Sequence, residues 1–134
     1  MPISLLVTLG LHMAGAVFWL FSSAVLGWNG NPAASKAMFR PQMITAVVVI
    51  FTGGGLWHLL HSGAFGPREI MLATGALAAI AAAGVQGAMV GGPVRRLAGA
   101  EPEGDVARRI LLGQRIATGL LAVVFLLMIG ERFV

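Results

Sequence analysis

Residues 42–61 read Gln-Met-Ile-Thr-Ala-Val-Val-Val-Ile-Phe-Thr-Gly-Gly-Gly-Leu-Trp-His-Leu-Leu-His. The stretch carries no Asp, Glu, Lys or Arg and matches the ~20 apolar residues that cross a bilayer as one helix. Three adjacent glycines would make it a poor helix in water, each costing about 1 kcal/mol against alanine. In a membrane the same glycines let a flat or bulky group approach the backbone, and His58 and His61 follow them within two turns. This reading makes the segment both a membrane span and the centre of a candidate site.

Outward from it, three more apolar runs have spanning length: Leu5–Gly27, Glu69–Gly91 and Leu111–Gly130. The stretches between them, Trp28–Pro41, Ser62–Arg68 and Gly92–Ile110, are rich in Gly, Pro, Asn or charge and read as connections. Asn31-Pro32 reads as a break, and Pro41 as the start of the second span. The expected fold is an all-α integral membrane protein, a four-transmembrane-helix up-down bundle, in a single domain over residues 1–134. Composition agrees. Of 134 residues 57% are hydrophobic and 10% charged, with a mean hydropathy of +0.88, whereas a soluble domain carries about a quarter charged residues. A lipid bilayer is therefore the expected surrounding.

Charge sets the expected orientation. Lys36, Arg40, Arg95, Arg96, Arg108, Arg109 and Arg115 lie in or beside the first and third connections, and Arg68 and Arg132 lie on the other side. Seven against two places the first and third connections in the cytoplasm and both termini outside, toward a periplasm if the membrane is a bacterial inner (plasma) membrane. The N-terminal Met1-Pro2-Ile3-Ser4 lacks the basic region of a secretory signal, so the first span is expected to remain. The basic residues gather at span ends and are not interleaved with aromatics, which argues against a nucleic-acid partner. With no cysteine, disulfides, thiolate metal sites and thiol catalysis are all excluded. The third connection mixes its arginines with Glu101, Glu103 and Asp105 and reads as a solvated, self-neutralising loop.

Gly75, Ala79, Ala83, Gly87 and Gly91 recur every fourth residue along the third span, and Gly113 and Ala117 begin a shorter stripe in the fourth. Such stripes let helices approach closely in lipid. Gln86 lies between faces and is placed to hydrogen-bond across helices.

The three histidines converge in depth. His12 lies roughly 10 Å below the outer end of its span and His58 roughly 5 Å below the same level, with His61 at the end. His12 shares a helix side with Gly15, Ala16, Trp19 and Ser23, while Gly54 and Gly55 lie one turn below His58. Imidazoles beside small residues suit a b-type heme between the first two helices, with His12 and His58 (or His61) as axial ligands and Arg68 and Arg132 near its propionates. An alternative is copper held by His58 and His61 with Met13, Met71 or Met128. Another is a cofactor-free accessory subunit of a larger membrane complex, or a homo-oligomer, using the small-residue stripes against a partner. Trp19, Trp28 and Trp57 read as core or interfacial residues. No Ser-His-acid set or phosphate loop is present, so catalysis, if any, would be redox chemistry at a cofactor.

Leu11-His12-Met13-Ala14-Gly15-Ala16-Val17-Phe18-Trp19-Leu20, Met38-Phe39-Arg40 and Phe51-Thr52-Gly53 resemble the opening helix, basic-aromatic lead-in and Thr-Gly of the CopD-type copper-resistance proteins and the related HemJ-type protoporphyrinogen oxidases. The HemJ resemblance implies a b-type heme with His12 important, and the CopD resemblance implies copper handling. HemJ-type enzymes also rely on a third-span lysine. This chain has Met71-Leu72 in that region and its sole lysine, Lys36, in a connection, a departure that argues against protoporphyrinogen oxidation.

Overall fold

The computed structural model describes residues 2–61, 63, 65–97 and 99–134. Its helices are α1 (Ile3–Trp28), α2 (Pro32–Leu60), α3 (Pro67–Gln86), α4 (Gly92–Arg96) and α5 (Gly104–Gly130). A π-helical turn, Gly87–Gly91, joins α3 to α4, so Pro67–Arg96 forms one continuous rod. Four rods, of 26, 29, 30 and 30 residues, are long and apolar enough to cross a membrane. The chain is an all-α, four-helix, multi-pass membrane bundle. The fourth rod ends in a 3₁₀ turn, Glu131–Phe133.

The first connection is much shorter than the expected Trp28–Pro41. Asn31 accepts the Ala34 N–H at 3.1 Å and Pro32 occupies the first turn, so the break expected at Asn31-Pro32 is itself the start of α2. Pro41 consequently sits inside α2, not at its beginning. The third connection shrinks likewise, because α5 begins at Gly104. Ser62 and Ala64 of the second connection and Ala98 of the third lie outside the described residues, as does Met1.

Each rod buries a narrow line of residues. On α1 it is His12, Trp19, Ser23 and Leu26; on α2, Ser35, Gln42, Ala46 and Val49; on α5, Ile110, Gln114, Ala117, Leu121 and Val124. Steps of three, four and seven residues mark helices packed at a shallow angle around a common axis. Trp19, Ala46, Val49, Ala79, Ala82, Ala117, Leu121 and Val124 meet as the apolar core. Helix α1 packs chiefly on α2 and α5, and α3 on α5, whereas α2 and α3 touch far less. Phe21, Phe51, Leu77 and Leu126 stand exposed on the outer faces, as side chains solvated by lipid do.

The third rod departs from its expected stripe. Its buried line is Gly75, Ala79, Ala82, Gln86, Val90 and Gly91, with Ala83 and Gly87 only half-buried. A strict every-fourth pattern drifts about 40° around a helix at each step. The contact line follows the axis of α5 instead, so it crosses from Ala83 to Ala82 and takes Gln86 inside. The small residues serve close packing within the chain. A Cβ on Gly113 would lie 2.7 Å from Met89 Cβ, one on Gly75 would lie 3.9 Å from Leu127 Cβ, and one on Gly91 would strike the Phe39 ring.

Candidate functional site

His12 is buried in α1, with 6% of its surface exposed, and faces α2. Its Nδ1 lies 3.0 Å from the Val49 carbonyl oxygen and 3.1 Å from Thr52 Oγ1. The carbonyl can only accept, so Nδ1 carries the proton. Thr52 directs its own hydroxyl to the Val48 carbonyl at 2.6 Å, which leaves its oxygen free to accept from the imidazole. Nε2 is therefore the unprotonated nitrogen. It makes no hydrogen bond to a described residue and is not among the sealed, unpartnered atoms, so it keeps some access. An anchored Nδ1–H and an open Nε2 lone pair are what a metal-ligating histidine presents.

Gly53 is what brings the ring this close. A Cβ there would lie 3.1 Å from His12 Cε1. The sequence reading put the gap at Gly54 and Gly55, and the structure corrects this. Gly54 is exposed with open space beside it, and Gly55 only approaches Thr8 Cγ2 at 4.0 Å. Gly53 continues the inward line one turn beyond Val49. His58 lies five residues after Gly53, about 140° away around the helix, and is exposed. The structure thus places His12 and His58 on different faces. His58 also lies about 7.5 Å farther along α2 than the Gly53 level that His12 meets, so the two do not form a pair, and no flat slot separates α1 from α2. A Cβ on Gly15 would come within 2.8 Å of Val49 Cγ2.

His61 is committed elsewhere. Its Nδ1 meets Glu69 Oε1 at 3.0 Å, and Glu69 Oε2 accepts the Gly66 N–H at 2.8 Å, tying the end of α2 to the start of α3. Arg68 Nε is 3.0 Å from Glu131 Oε2, so this guanidinium ties the start of α3 to the final 3₁₀ turn, and Arg132 is exposed. Met13 is exposed, Met128 packs against the core, and the Met71 methyl lies 2.8 Å from where a Gly130 Cβ would be. Among the described residues no three His, Asp or Glu side chains gather as a metal-ligand group.

A second polar centre lies deeper and escaped the sequence reading except for Gln86. Gln42, Gln86 and Gln114, from α2, α3 and α5, are fully buried beside Ser23 and Trp19 of α1. Trp19 Nε1 donates to Gln86 Oε1 at 2.6 Å. Gln86 Nε2 donates to Ser23 Oγ at 2.8 Å and to Gln114 Oε1 at 2.9 Å. Gln114 Nε2 donates to Gln42 Oε1 at 3.0 Å, and Gln42 Nε2 donates to Ser22 Oγ at 3.0 Å. The network links all four rods and so fixes their register. The available signal was an uncharged amide on the buried line of three separate spans. No protein family, characterised protein or solved structure matches this chain.

Proposed function

We propose that this chain is a membrane heme b protein for electron transfer or a heme-linked oxidation, with His12 as its axial ligand. The observation that carries the reading is the His12 geometry: a histidine in a membrane helix, proton fixed on Nδ1 by the Val49 carbonyl, lone pair left on Nε2. The residues fit a group bound on one side by His12. They do not fit one clamped between His12 and His58, because α1 and α2 are in direct contact and His58 faces outward. Bound at Nε2, heme would supply one-electron chemistry. Val49 and Thr52 set the tautomer and orientation of the ring, and Gly53 admits it. The excess of arginine at the α3–α5 connection supports a plasma-membrane topology with that end cytoplasmic.

Copper is less well supported, since His58, His61 and Met128 are not drawn together. A partner subunit docked on the small-residue stripes is also less well supported, because α5 and Phe39 already occupy most of that line. The test is the visible spectrum of the purified protein loaded with hemin. The expected result is a Soret band, with α and β bands on reduction, that is lost in His12→Ala and kept in His58→Ala. A spectrum that survives His12→Ala, or no heme uptake by the wild type, overturns the reading.

A further inference from the structure

The end of the bundle opposite the histidines carries a second candidate site. Most of its cations are engaged by the protein. Arg115 Nε donates to the Gly27 carbonyl at 2.8 Å and its guanidinium lies 5.8 Å from the Trp28 ring centre. Arg95 Nε donates to the Gly91 carbonyl at 3.3 Å, Lys36 Nζ donates to the Ala100 carbonyl at 3.2 Å, and Arg108 pairs with Asp105. Arg40, Arg96 and Arg109 have no side-chain hydrogen bond or ion pair among the described residues. Of these, Arg96 and Arg109 line one open cleft of about 370 Å³ with Pro93, Leu97, Asp105 and Val106.

We propose that this cleft seats the phosphate of an anionic phospholipid, with Arg96 and Arg109 on either side of it. Three features favour a lipid. Two guanidiniums without protein partners are opposite in sign to a phosphodiester and suit it in their forked donor geometry. The one carboxylate in the lining, Asp105, is already held by Arg108. Pro93, Leu97 and Val106 give an apolar floor that a glycerol and the start of an acyl chain would cover and that a free phosphate would leave bare. The depth also agrees. A 30-residue rod such as Pro67–Arg96 is ~45 Å long against ~30 Å of hydrocarbon, so its last turn emerges at headgroup level. The site lies at the far end from His12 and does not depend on the heme reading.

Native mass spectrometry of the delipidated full chain tests it, using phosphatidylglycerol and phosphatidylcholine as probes. One phosphatidylglycerol should be retained in preference to phosphatidylcholine. The R96Q/R109Q double variant should weaken it roughly tenfold, the loss of ~1.4 kcal/mol. The R40Q/R95Q variant, equal in charge, outside the cleft lining and leaving the Arg108–Asp105 pair intact, should stay within about threefold, a shift of under ~0.7 kcal/mol. Equal losses in the two variants would mean diffuse attraction to the surface and overturn the site. Displacement of the lipid by millimolar inorganic phosphate would overturn the lipid as its occupant. Thermal unfolding of both variants should match the wild type, since the altered side chains are exposed.

Discussion

At the scale of single residues, a polar atom left without a partner separates a buried side chain that can act from one that only fills space. Trp19, Gln86 and Gln114 are all fully enclosed, and their polar atoms are satisfied by one another. Removing one member leaves its neighbours' donors unpaired in a medium without water, which costs about 1–3 kcal/mol per orphaned group. Gln86→Leu should therefore lower stability by about that amount in detergent unfolding. Trp19→Phe combined with Gln86→Leu should cost less than the sum of the single changes, because the pair is coupled. Strict additivity would show that the 2.6 Å indole–amide bond contributes little. His12 differs in kind, since one ring nitrogen is satisfied and the other is not. Neither the tautomer nor the Val49 partner is written in the local sequence, because the two residues stand 37 positions apart.

At the scale of elements, two contacts set how the rods meet. The Phe39 ring lies against Gly91 in the π-helical turn, where any side chain would collide with it. Gly91→Val should destabilise by about 1–3 kcal/mol through overpacking, and Phe39→Ala in the same chain should recover part of that loss. A Gly91→Val protein that melts like the wild type would show that the ring simply moves aside. At the other end, Glu69 holds both the Gly66 N–H and His61. Glu69→Ala frees the start of α3, so its first-turn amides should exchange faster with solvent deuterium while the core of α5 stays protected. Unchanged exchange in Ile70–Ala73 would remove that clasp from the account. The lengths of these elements were only partly legible. Asn31-Pro32 reads as a break or as a cap-and-first-turn, and the choice rests on whether the following residues find helix partners in space.

At the scale of the whole molecule, the antiparallel arrangement of four rods follows from short connections and needs no homologue to support it. The charge asymmetry gives that arrangement a direction that labelling can check. The chain has no cysteine, so single cysteines at Gly30 and Gly99 should both react with an impermeant maleimide only after the cytoplasmic side is opened. One at Phe65 should react from the outside in intact cells. Labelling of Gly30 and Phe65 from the same side would refute the up-down order itself, and a clean inversion would refute only the orientation inferred from arginine.

What the sequence determined by itself was the apolar surrounding and the number of rods long enough to cross it. Composition and the spacing of apolar runs fix those along the chain axis, at a constant rise per residue. What only the tertiary structure decided was azimuth, meaning which side of each rod turns inward. A shift of one residue rotates a side chain by about 100°, so the line each helix buries depends on the path of its neighbours. For that reason Gln42, Gln86 and Gln114 meet, Gly53 and not Gly54 lies under His12, and His58, about 7.5 Å farther along α2, faces away.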